Sequence, residues 1–407
     1  MMEPTYDVVV VGARVAGSAT AMLLGRAGLR VLMLDRQPYG TDTLSTHALM
    51  RGGVIQLSRW GLLDAVLDRG TPLVTATSFH YGDQELSIPL RTSAEVPGLI
   101  APRRTVLDPV LVAAARDAGV DVRHGIAVRD VLHDSTGRVC GVVVRDPQGE
   151  ERSVKAGIVI GADGTGSSIA RLVSAPMLRR GEASASNIYG YLPGWGDAAF
   201  HWHYRAADAG RGPVAAGVIP TNDHRSCVFV SQPTADFDST SRHDVGAAYL
   251  AALEAIDLDL AAQARTAAPL SLSVFRGRPG HLREPAGPGW LLVGDAGFFR
   301  DPLTAHGITD ALRDAEAAAA AVLGGSLADF RRYQAERDPL ANRLLDVTER
   351  IVSFGWDYAT LEALHKQLNA VMKEEVAILA ARGTANVPII RRPPESPHIV
   401  LVSPPST

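Results

Sequence analysis

The sequence predicts an α/β fold: a parallel, Rossmann-like domain interrupted by an antiparallel sheet and followed by a C-terminal helical segment. Three observations predict it. An apolar run near the N-terminus passes through a glycine turn into a small-residue helix and a second apolar run. Two later apolar runs also end on glycine–aspartate turns. Between those two lies a stretch of short alternating segments broken by proline and glycine.

The first unit reads from Tyr6-Asp7 into Val8-Val9-Val10-Val11, then Gly12-Ala13-Arg14-Val15-Ala16-Gly17-Ser18. Small helix-forming residues fill 19–27, Gly28 breaks the helix, and Val31-Leu32-Met33-Leu34 ends on Asp35. Strand, tight turn, helix, strand, acid is the dinucleotide-binding arrangement. A helix N-terminus faces a pyrophosphate, and the acid closing the second strand takes the ribose hydroxyls. Gly12 permits the turn and Gly17 lets the helix lie close to the sheet. Arg14 stands where the usual pattern has its middle glycine. Its Cβ crowds a ligand there, while its guanidinium is long enough to lie along the phosphates. Ala13, Ala16 and Arg36 complete this set of candidate cofactor contacts.

The two later turns follow the same logic. Ile158-Val159-Ile160 runs into Gly161-Ala162-Asp163-Gly164, and Trp290-Leu291-Leu292-Val293 runs into Gly294-Asp295-Ala296-Gly297. Asp301-Pro302 and His306-Gly307-Ile308 come next, before an alanine-rich helix over about 309–323. Parallel strands end at the crevice where ligands bind, so an aspartate at each of two such ends is placed for cofactor contact.

Residues 190–274 read differently. Phe200-His201-Trp202-His203-Tyr204, Val214-Ala215-Ala216-Gly217-Val218-Ile219-Pro220 and Ser226-Cys227-Val228-Phe229-Val230 look like antiparallel strands, and a hairpin over 77–88 is placed to join them. The expected organisation is therefore discontinuous: one domain from 1–72, 100–180 and 276–340, a sheet domain from 73–99 and 181–275, C-terminal helices over 341–387, and a proline-rich tail over 388–407. Helical periodicity is read from Pro339 through Phe354 and again from Leu361 to Leu379.

Bulk properties agree with an enzyme of two domains. The chain has 407 residues, 46% of them hydrophobic, and a net charge of −4. That balance argues against a nucleic-acid-binding surface and against disorder. The two cysteines, Cys140 and Cys227, lie far apart and read as small apolar residues of a reducing compartment. Lysine occurs only at 155, 366 and 373. The first strand starts too early to leave room for a signal peptide, and no apolar run is long enough to span a bilayer, so a cytoplasmic protein without integral membrane contact is expected. Oligomeric state stays open.

The three turns together resemble the FAD-dependent aromatic hydroxylases of the para-hydroxybenzoate hydroxylase superfamily, the single-component flavoprotein monooxygenases. A fourth element fits: Arg103-Arg104-Thr105-Val106-Leu107-Asp108, followed by a helix expected over 109–118. The resemblance spans about residues 5–340. It implies a Rossmann-like FAD-binding domain holding noncovalent FAD through Gly12, Ala13, Arg14, Ala16, Gly17, Asp35, Arg36, Arg51, Arg104, Val128, Asp163, Gly164, Gly294, Asp295, Pro302, Gly307 and Ile308. Arg104 matches a position that touches the ribityl–phosphate region. Asp295 is expected on a ribityl hydroxyl, and the helix opening at Gly307 on the flavin N1–C2 edge, where its positive end stabilises charge gained on reduction. Arg51 matches a position beside the isoalloxazine and nicotinamide.

Within that resemblance NADH or NADPH reduces the flavin and O₂ yields a C4a-hydroperoxide that hydroxylates a small aromatic or polyketide-like substrate. Candidate residues at that step are His306, His47, His201 and His203, with Tyr189 and Tyr191 for a ring hydroxyl. No metal is expected, because His201 and His203 lack a third partner nearby in sequence. Geranylgeranyl-type reductases and flavin halogenases share the FAD motifs. A reductase is the alternative reading. A halogenase is disfavoured, since no lysine precedes Lys155 and the paired tryptophans of that class are absent.

Overall fold

The computed structural model describes residues 6–194, 198–208, 210–240, 244–267 and 269–382. The proline-rich tail, and with it the end of the expected helical segment at 383–387, lies outside the described residues. The β-branched run Tyr6–Val11 sits at the centre of a sheet with eight strands among the described residues. Val31–Asp35 and Glu151–Gly161 flank it in parallel register, with Asp121–His124 beyond the first and Trp290–Leu292 beyond the second. Residues Val8, Val9 and Val10 are buried on both faces, as continuous apolar runs in a parallel sheet are. The long strand Glu151–Gly161 also pairs antiparallel with Val139–Arg145, which in turn pairs with Ala127–His133.

Two helices start earlier than their prolines suggest. The helix expected at Pro109 runs over Arg104–Asp117, and the one expected from Pro339 runs over Leu327–Val352. Each proline sits inside its helix and forgoes one backbone bond. Packing of Leu107, Val110 and Leu111 in one case, and a capping box of Ser326 with Asp329 in the other, outweighs that loss.

The second sheet has seven strands among the described residues, and the hairpin Ala76–Tyr81 with Gln84–Pro89 forms one of its edges. Cross-strand neighbours share a face. Tyr189 lies opposite Phe229, Phe229 opposite Gly217, Gly217 opposite Trp202, and Trp202 opposite Phe79. This aromatic face packs on Ala48, Leu303 and Ala305 of the first domain and on the helices Leu327–Val352 and Tyr358–Arg382. The other face carries Val218, Val228 and Ile188 beneath the helices Val245–Glu254 and Leu258–Thr266. No helix among the described residues is long and apolar enough to cross a membrane.

Candidate functional site

The three turns meet at the ends of the parallel strands. The Ala162 amide donates to the Val11 carbonyl at 2.8 Å, and the Val293 amide to the Gly161 carbonyl at 2.9 Å. Gly12 has φ +108°, and a Cβ there would collide with the Ala162 carbonyl. A Cβ on Gly294 would come within 2.9 Å of the Ala16 side chain. The glycines are required by this mutual approach, and the result is a backbone cradle with a helix, Val15–Arg26, opening on it.

Asp35 closes the second strand nearly buried. Its two carboxylate oxygens accept the Ala13 and Gln37 amides, each at 2.7 Å, which fixes the turn. Beside it a shallow cleft is lined by Ala13, Arg14, Asp35, Tyr39, Arg104 and Asp108. Arg14 does leave the turn, as its Cβ demands. Its guanidinium goes to Asp108 at 2.9 Å and to the Thr41 carbonyl at 2.8 Å. Arg104, at the start of its helix, grips the same carboxylate with two bonds of 2.9 and 3.0 Å. Asp108 is thus a hub between two cations. Its spacing, one helical turn after Arg104, was the signal available in the sequence.

At the other end of the cradle, Asp295 projects half-buried from the turn Gly294–Ala296, with its Oδ1 4.0 Å from the Cβ position of Gly307. Burial, with the nearby Asp310 carboxylate, pushes its carboxyl up to about 7. Gly307 opens the helix Gly307–Gly324, and His306 at its N-cap supplies no side-chain cap. The first-turn amides beside Asp295 are therefore not taken up by that residue. Pro302 opens a short turn whose Asp301 accepts the Leu303 amide at 2.9 Å and the Ala185 amide of the second sheet at 2.8 Å. Asp163 has a local task as well: it accepts from Ser167 Oγ at 2.5 Å and from the Ser168 amide at 2.6 Å, after which Gly164 turns with φ +79°. Arg36 is exposed, and Val128 is half-buried against the core under the sheet.

The segment before the helix Arg51–Arg59 lies against the same place. The Met50 amide donates to Thr309 Oγ1 at 3.2 Å, in the first turn of the Gly307 helix, and Arg51 donates to the Arg91 carbonyl. His47, three residues earlier, is fully buried with φ +67°, a left-handed backbone that costs a non-glycine residue about 1–3 kcal/mol. Its Nε2 lies 2.5 Å from the Tyr191 hydroxyl, and its Nδ1 is buried without a hydrogen-bond partner. Burial and the adjacent Arg104 hold its pKa down at about 3, against the pull of Asp42. Arg103, which the sequence reading passed over, stacks its guanidinium 4.3 Å from the Tyr191 ring centre. Tyr189 is buried on the same sheet face, two residues away.

Two expected pocket residues are elsewhere. His201 pairs across the ladder with Val218 and His203 with Ala216, so strand alternation puts both on the face opposite Tyr189 and Trp202. They do not line one pocket with the tyrosines. A third partner also exists: His80, from the edge hairpin, lies 3.1 Å from His201. His306 is buried with Nε2 on Glu375 at 2.7 Å. Glu375 also takes Arg313 at 2.6 Å, Arg313 takes Asp310 at 2.7 Å, and Asp310 takes Arg300 at 2.9 Å. This network ties the C-terminal helix to the Gly307 helix. Glu375 carried no sequence signal, because its partners come from residues 300–313.

The arrangement fits FAD: a glycine cradle at a helix N-terminus, an acid at one end for ribose, and at the other a carboxyl beside uncapped first-turn amides. Comparison with known proteins agrees. A family model described as "FAD binding domain" matches residues 5–348. Menaquinone reductase of Mycolicibacterium smegmatis is 28% identical over 345 residues, covering 81% of this chain and 79% of that protein. The flavin-dependent brominase Bmp2 superposes with a TM-score of 0.74 at 20% identity, covering 92% of each chain. p-Nitrophenol 4-monooxygenase PnpA of Pseudomonas putida superposes at 0.70 with 19% identity, covering 96% of this chain and 100% of that one. From the match over residues 5–348, the chain belongs to the FAD binding domain family of FAD-dependent oxidoreductases.

Proposed function

We propose that this protein is a monooxygenase that takes electrons from NADH or NADPH and places one oxygen atom of O₂ on a small aromatic or polyketide-like substrate. Noncovalent FAD, held by Gly12, Asp35, Arg104, Asp295 and the Gly307 helix, with Arg14 acting through Asp108, supplies the redox chemistry and oxygen activation when bound. In this reading residues 1–72, 100–180 and 276–340 carry the cofactor, and 73–99 and 181–275 carry the substrate.

The observation that carries the proposal is the buried His47–Tyr191 pair. It stands on the aromatic face of the second sheet, beside the segment that packs on the Gly307 helix. His47 is kept neutral, so at physiological pH its ring nitrogen accepts a hydrogen bond without taking up the proton. Tyr191 is kept protonated by burial, so it donates. Together they can hold and orient the hydroxyl or amine of a phenol or aniline whose ring lies against Tyr189. Arg103, paired with Asp42 at 3.1 Å, lies over the Tyr191 ring and helps to fix it in place.

The menaquinone reductase likeness favours a second reading, reduction of a substrate double bond by reduced flavin. The brominase likeness is one of fold, and this chain has no lysine before Lys155. A substrate panel run with NADH and NADPH, in air and under argon, separates the readings. A monooxygenase consumes O₂ and forms no product anaerobically. A reductase turns over equally well under argon, and that outcome would replace the proposal.

A further inference from the structure

We propose that His80, His201 and His203 form a binding site for a divalent transition-metal cation, of which zinc is the best fit, on the outer face of the seven-stranded sheet. The register creates it. His203 lies directly opposite His80 in the parallel ladder, and His201 is two residues back along the same strand, so all three side chains leave one face. One ligand nitrogen from each lies within 4.8 Å of the others. His80 Nε2 is 3.1 Å from His201 Nδ1, and the rings of His80 and His203 stack at 4.1 Å, 4° from parallel.

Tetrahedral zinc with bonds of about 2.0–2.1 Å spaces its ligand nitrogens about 3.4 Å apart. Nitrogens already within 4.8 Å of one another lie close to that spacing, and the His80–His201 contact would be exchanged for two metal bonds. Proton charge suits this cluster poorly. Burial, together with the neighbouring His80 and His201 and against the pull of Asp257, lowers His203 to about 3. A neutral imidazole is the ligand form, and a set made, among the described residues, of three imidazole nitrogens suits zinc, nickel, cobalt or copper over calcium or magnesium. His80 is half-buried at the hairpin edge, which gives an ion its way in, and leaves a fourth position for water. Asp257, capping the helix Leu258–Thr266, places negative charge nearby.

The site is separate from the His47–Tyr191 pair, since strand alternation puts it on the opposite face. Its consequence is structural: an ion would staple the hairpin strand Ala76–Tyr81 to Ala199–Arg205, two segments with no neighbouring sequence. The second metal-like cluster, His306 with Asp310 and Glu375, carries no such inference, because Arg300 and Arg313 already supply its cations.

The test uses the full-length, FAD-loaded protein with no affinity tag, stripped with chelator and dialysed against Zn²⁺ or Co²⁺. The expected results are about one equivalent of metal per chain, visible absorption typical of tetrahedral Co²⁺, and a higher melting temperature with Zn²⁺. His80→Ala and His201→Ala should each weaken binding by about 100-fold or more, with the flavin spectrum unchanged. Should His201→Ala lose its flavin through misfolding, the half-buried edge variant His80→Asn decides instead. Substoichiometric metal at micromolar concentration, or affinity unchanged in the folded histidine variants, would overturn the site and show a hydrogen-bonded histidine stack only.

Discussion

The imidazole of His47 and the phenol of Tyr191 meet at 2.5 Å across the seam between the parallel sheet and the second sheet. One residue comes from a strained loop and the other from a strand 144 positions later. Arg103 stacks on the Tyr191 ring, and His47 Nδ1 is left buried without a hydrogen-bond partner. Strain, burial and an unmet nitrogen at one residue mark a place where fold stability is spent on a task.

Tyr191→Phe tests that task. Loss of one hydrogen bond to a buried nitrogen is worth about 1–3 kcal/mol, or about 5- to 150-fold in rate. We expect product formed per NAD(P)H to fall within that range and H₂O₂ release to rise, with FAD content unchanged. Full coupling in the variant would show that the pair is structural.

Asp108 gives the second prediction. It compensates Arg14 and Arg104 together, so its removal leaves two half-buried guanidinium groups uncompensated, while Arg14 removal leaves the Arg104–Asp108 bonds in place. Asp108→Ala should cost about 3 kcal/mol in urea unfolding and Arg14→Ala about 1 kcal/mol or less. FAD affinity should follow the same order. Equal effects of the two variants would mean that Arg14 acts on the cofactor directly and not through Asp108.

This order of importance was only partly legible in the sequence. The strands and the three turns were readable because each is a short continuous signal: Val8 to Val11 then Gly12, Ile158 to Ile160 then Gly161, Leu291 to Val293 then Gly294. The hairpin and the alternating strands were readable for the same reason. Facing was not, since period-two alternation says that His201 and Trp202 differ in side without saying which side meets the cofactor domain. His80 and Glu375 were invisible because their partners are assembled from distant segments by the completed topology. Helix starts were misplaced at Pro109 and Pro339, where apolar packing and a capping box override local propensity.

His365 supplies a pH prediction. Burial lowers its pKa to about 4, and it meets Tyr81 at 2.7 Å on the aromatic face. The unfolded chain takes up its proton near pH 6.5, while the folded chain resists until about pH 4. This contribution is therefore full above about pH 6.5 and is lost as pH falls through that window. His47, held at about 3, adds to the same trend. Thermal melts from pH 8 to pH 4 should show falling stability, and His365→Phe should shallow the slope between pH 6.5 and pH 4. A slope unchanged by the substitution would assign the acid sensitivity to other groups.

The central claim is that oxygen from O₂ ends on the substrate, and isotope labelling reads that atom directly. The FAD-loaded protein is supplied with NAD(P)H and the panel compound that most stimulates its oxidation, under ¹⁸O₂ in unlabelled water. The account predicts product heavier by one ¹⁸O atom, formed only when oxygen is present. Unlabelled product, formed as well under argon, would contradict it and identify a flavin-dependent reductase.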